Sequence, residues 1–104
     1  MLPERIKAVL KEIISQIDHE ECILFGSHAR EKQTGHSDFD LLVIIRDKLS
    51  IREKMEKSSA LRGAFAVRGI DADIILKSRE EIEYYKDKTG HIVKNALAEG
   101  IPAW

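Results

Sequence analysis

The sequence predicts an α/β (α+β) fold in which a small mixed sheet is flanked by helices. Apolar runs typical of strands alternate with segments whose apolar residues recur at helical spacing. Ser-x-x-Glu patterns, which are typical of helix starts, stand directly before two of the helical segments. The longest apolar run is too continuous for a sheet with one solvated face, so we expect its strand to be central and covered.

The first element is a helix, because Pro3 suits a first helical turn and one apolar stripe follows at three- and four-residue spacing. The stripe consists of Ile6, Val9, Leu10, Ile13, Ile14 and Ile17. A short apolar run then predicts a strand over about residues 21–25, which Gly26 ends. Ser27 can cap a short helix over about residues 28–32.

The middle of the chain contains the two longer apolar strands and the helix between them. Turn-forming residues at 33–37 lead into the central strand, which we predict over residues 39–46. A capping box at residues 50–53 begins the next helix, and that helix runs to about Val67. The third strand is predicted over residues 70–76.

The last part of the chain is helical. A capping box at residues 78–81 begins a helix at about Arg79, and the Thr-Gly pair at 89–90 interrupts it. A final helix is predicted over residues 91–98, with Gly100 as its C-cap.

Length, charge and cysteine usage exclude several classes of protein. A chain of 104 residues is expected to form one domain over residues 1–104, with its helices on one face of the sheet. The 17 Lys and Arg residues balance 18 Asp and Glu residues, which argues against a dedicated nucleic-acid binder. No apolar run approaches the roughly 20 residues that span a bilayer, and the N-terminus does not resemble a secretory signal. The lone Cys22 lies in an apolar run, which predicts a buried, reduced thiol in a cytoplasmic protein.

The most informative motif is Gly26-Ser27, then ten residues, then Asp38-Phe39-Asp40. Side chains two residues apart on a strand point to the same face, so Asp38 and Asp40 aim at one point. Two carboxylates held so near each other repel, which favours binding of a cation between them. Mg²⁺ commonly uses one or two carboxylates plus substrate phosphates. A second ion about 4 Å away would complete the arrangement used for in-line displacement at phosphorus. The alternative to a metal site is that Asp38 is a loop or turn residue and Asp40 lies at a solvated strand end.

A third carboxylate is available on the next strand, where Asp71 and Asp73 share one face. An unpaired Asp inside so apolar a strand is costly, which favours a functional purpose. We predict Asp73 as the third metal ligand, because the apolar run follows it directly. Asp71 remains the alternative for that position.

The Gly-Ser end of the motif is suited to phosphate. Gly26 allows the backbone to approach a ligand closely, and Ser27 offers a hydroxyl together with the N-terminus of the helix it caps. Arg30, one turn later, can contact a triphosphate. An ordinary strand-turn-helix with a serine cap would show the same residues. The phosphate-binding interpretation of Gly26 and Ser27 is therefore supported only by the carboxylates that follow.

These residues resemble the minimal nucleotidyltransferase (MNT) antitoxins of the DNA polymerase beta-type nucleotidyltransferase superfamily. The resemblance rests on residues 24–30, on residues 37–41 and on the third strand with its following capping box. It implies a mixed-sheet palm in which Asp38, Asp40 and Asp73 bind Mg²⁺ and catalyse transfer. It also implies that Gly26 and Ser27 hold the triphosphate of ATP.

The resemblance further implies a function and a partner. MNT proteins of this size are typically antitoxins paired with a HEPN-domain ribonuclease toxin. The expected reaction is transfer of AMP from ATP to a tyrosine of that toxin, in a hetero-oligomer with it or from a homodimer. The palm takes up nearly the whole chain, so we expect the acceptor to come from another molecule.

Two other functions remain open from the sequence. The first is a nucleotidyltransferase that acts on a small hydroxylated molecule such as an aminoglycoside, although such enzymes generally carry an additional substrate-binding domain. The second is an antitoxin that neutralises its partner by occlusion and makes little use of the nucleotide site. Intact acidic positions argue against occlusion alone.

Overall fold

The computed structural model of the protein describes residues 2–26 and 39–104. In this part of the chain the helices are α1 (Glu4–Ile14), α2 (Ile51–Val67), α3 (Arg79–Tyr85) and α4 (Ile92–Glu99). The strands are β1 (Glu21–Phe25), β2 (Phe39–Ile45), β3 (Ala72–Ser78) and β4 (Ile101–Pro102). The predicted α/β fold with a small mixed sheet and flanking helices is confirmed.

The strands form one four-stranded sheet in the order β3-β2-β1-β4. Strand β2 pairs with β1 in the antiparallel sense and with β3 in the parallel sense, which makes the sheet mixed. All residues of β2 from Leu41 to Ile45 are buried. The prediction of a central, covered strand is therefore confirmed.

Helices cover both faces of the sheet, so the expectation that they lie on one face is wrong. One face packs against α1 and α2 through a core that includes Leu10, Ile14, Leu24, Leu41, Val43, Leu61 and Phe65. The other face packs against α3 and α4 through Phe25, Leu42, Ile44, Ile82, Val93 and Ala96. Successive side chains of β2 point to opposite faces, and because every one from residue 41 to 45 is apolar, both faces need cover.

Both predicted capping boxes are present. The hydroxyl of Ser50 accepts a hydrogen bond from the backbone N–H of Glu53 at 3.1 Å, and the Glu53 carboxylate accepts one from the Ser50 N–H at 3.2 Å. Ser78 and Glu81 make the same reciprocal pair at 3.2 and 3.0 Å. These bonds satisfy backbone donors that a helix N-terminus otherwise leaves unpaired, so α2 and α3 begin where the sequence predicts.

Several boundaries differ from the predictions. Helix α1 ends at Ile14, and Ile17 packs against the core from the turn that follows. The third strand is two residues later than predicted, over Ala72–Ser78. Helix α4 begins at Ile92, because His91 caps it by accepting a hydrogen bond from the N–H of Val93.

One further difference concerns the end of the chain, and one prediction near the motif stays untested. Strand β4 was not predicted, and it pairs with β1 directly after Gly100. The short helix predicted over residues 28–32 lies outside the described residues.

Cys22 is free and buried in the core around α1 and α2. Burial raises the pKa of its thiol to about 12, which keeps it protonated and unreactive at neutral pH. Within residues 2–26 and 39–104, none of the helices has the length and apolar character that crossing a membrane requires.

Candidate active site

Two of the predicted acidic residues lie side by side on neighbouring strands. Asp40 of β2 and Asp73 of β3 are directly paired in the parallel register. Paired residues of adjacent strands lie about 5 Å apart and project to the same face of the sheet. That face is the one covered by α3 and α4, because Leu42 and Ile44 share it with Asp40.

Gly26 brings the phosphate end of the motif against the same carboxylate. It follows β1 directly, and its neighbour Phe25 pairs with Asp40 across the antiparallel ladder. Its φ of +76° lies in the left-handed region, and a Cβ atom at this position would collide with the Asp40 carboxylate. Both conditions favour glycine. The two halves of the motif therefore meet at Gly26 and Asp40.

Asp73 and Asp71 have different surroundings. The Asp73 carboxylate lies 3.9 Å from the Arg62 guanidinium, and both side chains are at least half exposed. An ion pair so long and so solvated is weak and leaves the carboxylate available to a ligand. The Asp71 side chain is exposed, and its backbone carbonyl accepts the N–H of Phe39 at 2.9 Å. Only Asp73 is in register with Asp40.

The remaining predicted site residues, Ser27, Arg30 and Asp38, lie outside the described residues. Within the parts of the chain that are described, no group of three or more His, Cys, Asp or Glu side chains is placed to hold a metal ion. The described structure thus brings together Gly26, Asp40 and Asp73.

A groove of about 570 Å³, which the sequence did not predict, opens beside the carboxylates. It is bounded by helix α2, strand β3 and the start of α4, and its lining includes both Asp40 and Asp73. On α2 the lining side chains include Lys54, Ser58 and Arg62. These residues recur at four-residue spacing on one polar face of the helix, and that spacing is the signal from which the groove could have been inferred.

Lys54, one of these groove residues, is held by a carboxylate of α3. Its ammonium group donates to Glu81 at 2.6 Å, and both side chains are largely buried. Desolvation raises the pKa of Glu81, but the hydrogen bond and charge of Lys54 and the bond from the Ser78 N–H outweigh it, so that the pKa is lowered. Lys54 is therefore committed to the framework of the groove, whereas Arg62, which also lines it, is more than half exposed.

Neighbouring strands that present carboxylates beside a glycine turn, in a mixed sheet with helices on both faces, define a nucleotidyltransferase-type fold. The model of the family described as polymerase beta, nucleotidyltransferase matches residues 4–101. The chain belongs to this family. Comparison with curated protein sequences gives no significant match.

Solved structures share this fold. A putative nucleotidyltransferase from Sulfolobus solfataricus is 26% identical, with a TM-score of 0.56 over 81% of this chain and 77% of that chain. A toxin–antitoxin complex with AMP-PNP shares the fold at 18% identity, with a TM-score of 0.64 over 94% and 72%. A complex of a tri-AMPylated Shewanella oneidensis HEPN toxin with an MNT antitoxin shares it at 16% identity, with a TM-score of 0.58 over 97% and 71%.

Proposed function

We propose that this protein is an MNT antitoxin that transfers AMP from ATP to a tyrosine of a HEPN-type toxin. The observation that carries the proposal is the meeting of Gly26, Asp40 and Asp73 at one end of the sheet. A turn that can approach a phosphate and two carboxylates that can hold a cation are thereby placed within one small site. Nucleotide transfer requires both at once.

The residues present fit Mg²⁺. Asp40 and Asp73 supply hard oxygen donors from adjacent, in-register positions, and Asp38 would supply a third carboxylate two residues before Asp40. When bound, the cation would neutralise charge that develops on the phosphate oxygens during transfer. Without a cation, two neighbouring carboxylates repel each other, and that repulsion is a reason for the site to bind one.

The nucleotide would lie on the β1 side of the carboxylates. Gly26 lets the turn after β1 pass directly beside Asp40, where any side chain would collide with that carboxylate, and its bare backbone could approach a phosphate bound next to Asp40. Ser27 and Arg30 follow directly in the sequence and would contribute a hydroxyl and a positive charge to the triphosphate. The β- and γ-phosphates would be held here as the leaving pyrophosphate.

The acceptor oxygen would attack the α-phosphorus from the opposite side. A bond forms between that oxygen and phosphorus, the bond from phosphorus to the bridging oxygen breaks, and pyrophosphate leaves. Asp73 is placed to accept the proton of the attacking hydroxyl, because it lies on the side of Asp40 away from Gly26. An adenylate on the toxin adds bulk and negative charge, which would disfavour RNA at the toxin's own site.

The structural neighbours support a protein acceptor. Among the folds that resemble this chain are toxin–antitoxin complexes, one with an ATP analogue and one with an AMPylated HEPN toxin. The chain covers more than two thirds of the matched chain in each of those complexes. A similar partner and a similar reaction are therefore our proposal for this protein.

The proposal is tested by weighing the co-purifying partner after incubation with this chain, ATP and MgCl₂. We expect a mass gain of one or more adenylate units, which disappears when EDTA replaces magnesium. Neutralisation of the partner with no mass gain would overturn the proposal in favour of occlusion. Asp40→Asn should abolish the gain, whereas Asp18→Asn, a matched change of an exposed carboxylate at the other end of the sheet, should leave it intact.

A further inference from the structure

The groove beside Asp73 has a composition unlike that of the carboxylate site itself. Its rim carries two exposed apolar side chains, Met55 at 68% and Ile92 at 43% exposure, from α2 and from the start of α4. Its lining also includes Ile75 and Arg62. Large apolar side chains exposed on either side of a cavity are typical of a surface that binds an apolar group.

The position of the groove relative to Gly26 indicates which of the two reactants it would bind during transfer. Gly26, Asp40 and Asp73 stand on or directly after β1, β2 and β3, which are consecutive strands of the sheet. In an in-line displacement the attacking group enters opposite the leaving group. If pyrophosphate leaves on the side of Gly26, the attacking hydroxyl enters on the side of Asp73, where the groove lies.

We infer that this groove is the acceptor subsite and that Met55 and Ile92 select a phenolic side chain of a polypeptide. This inference rests on the proposed transfer reaction and adds the residues that choose its acceptor. A phenol has an apolar ring that can pack between Met55 and Ile92, and a hydroxyl that can reach Asp73 at the end of the groove. Thioether sulfur also makes favourable contacts with aromatic rings.

The charges of the groove argue against a small polycationic acceptor. An aminoglycoside carries several ammonium groups and needs a surplus of acidic side chains, but the two carboxylates of the groove, Asp40 and Asp73, are matched by the cations Arg62 and Lys54. The two carboxylates are also the proposed ligands of the cation, which leaves them less negative charge to offer to an acceptor. The apolar rim would also leave the sugar hydroxyls without partners.

The first test uses the chain itself without substitution. It contains two methionines, Met1 and Met55, so ¹³C-methyl methionine labelling gives one signal in the groove and one at the N-terminus. With Mg²⁺ and AMP-PNP present, N-acetyltyrosinamide should shift the Met55 signal and leave that of Met1 in place. N-acetylserinamide and kanamycin should shift neither. A Met55 signal that does not respond to the tyrosine compound, or responds equally to the serine compound, would overturn the inference.

The second test compares two double variants in transfer of adenylate to the co-purifying partner. Met55→Ser with Ile92→Ser removes the apolar rim and should lower kcat/KM for the partner about tenfold or more, with AMP-PNP affinity unchanged. The matched control, Ile51→Ser with Val67→Ser, removes two side chains that are 78% and 87% exposed and lie outside the groove. It should transfer at the normal rate. Equal rates in the two double variants would contradict the inference.

The two tests separate this inference from the proposed function. A wild-type chain that transfers adenylate while Met55 does not respond would leave the function standing and remove the groove as acceptor subsite. A chain that transfers nothing while Met55 responds to the tyrosine compound would remove the transferase proposal and leave an aromatic-binding groove.

Discussion

The two faces of strand β2 differ in whether apolar side chains occupy the whole strand. On the face toward α1 and α2, Leu41, Val43 and Ile45 are all buried in one core. On the face toward α3 and α4, Leu42 and Ile44 are buried, but the first position is Asp40. Because alternate residues serve opposite faces, one strand supplies both a closed core and a carboxylate at the open end of the second face.

This difference separates the residues that hold the fold from those that form the site. Substitutions on the α1–α2 face should lower stability, and substitutions at the open end of the other face should lower transfer. Variants on the two faces test that separation, and the largest change in stability is expected in the α1–α2 core.

Phe65→Ala should destabilise the protein by about 3–5 kcal/mol, because the ring is fully buried between α2 and the sheet and its removal leaves a cavity. Denaturant unfolding monitored by circular dichroism measures the change. Val67→Ala, two residues later on the same helix but highly exposed, should change stability by less than about 0.5 kcal/mol. A loss below about 1 kcal/mol for Phe65→Ala would mean that this face is not the main core.

Asp73→Asn should lower transfer by about 100-fold or more, because it removes a proposed cation ligand worth several kcal/mol in the transition state. Asp71→Asn is the matched control, since Asp71 lies on the same stretch with an exposed side chain and is not paired with Asp40. Its rate should stay within a few-fold of wild type. A larger loss of rate for Asp71→Asn than for Asp73→Asn would show that Asp71, and not Asp73, is the metal ligand.

Gly26→Ala and Gly69→Ala separate backbone strain from collision. Both glycines have a φ of +76°, so alanine should cost each variant about 1–2 kcal/mol of stability. A Cβ at Gly69 meets open space, whereas one at Gly26 meets the Asp40 carboxylate. Only Gly26→Ala should therefore also lose transfer, measured as the adenylation rate of the partner. Similar rates in the two variants would show that Gly26 does not contact the site.

Glu81→Gln should have the smallest effect, about 1 kcal/mol at neutral pH, because Lys54 loses its charged partner. The pKa of Glu81 is lowered from its ordinary value of 4.5 in the folded protein, so its contribution is present above that value and is lost as the pH falls through the folded-state pKa. The difference in unfolding free energy between wild type and variant should thus shrink below about pH 4. Glu56→Gln, which breaks an exposed pair with Arg52, is the control and should show little difference at either pH.

Much of the fold was predictable because its signals are local. The pairs Ser50–Glu53 and Ser78–Glu81 fixed the starts of α2 and α3, and the apolar run after residue 38 fixed β2. Strand β4 was missed because two residues that include Pro102 carry no periodicity, and only pairing with β1 makes them a strand. The distribution of helices over both faces was missed for a similar reason, since it depends on packing between distant segments.

The candidate site was predictable in part. The spacing of the motif indicated that Gly26 and Asp40 would meet, and the described structure brings them together. The preference for Asp73 over Asp71 rested on sequence position; Asp73 is paired with Asp40 in the sheet, and its role as metal ligand stays a prediction. The groove of Met55, Arg62 and Ile92 was not predicted, because it joins α2 to the start of α4 across the edge of β3, far apart in the sequence.

The most direct test of the central claim, that Asp40 and Asp73 act as one site, is a double-mutant cycle on adenylate transfer. If both carboxylates act as a unit, Asp40→Asn and Asp73→Asn should each abolish most of the rate, and the double variant should lose little more than either single one. Losses that multiply, so that the double variant falls by the product of the two single effects, would show that the two residues act independently and would contradict the claim.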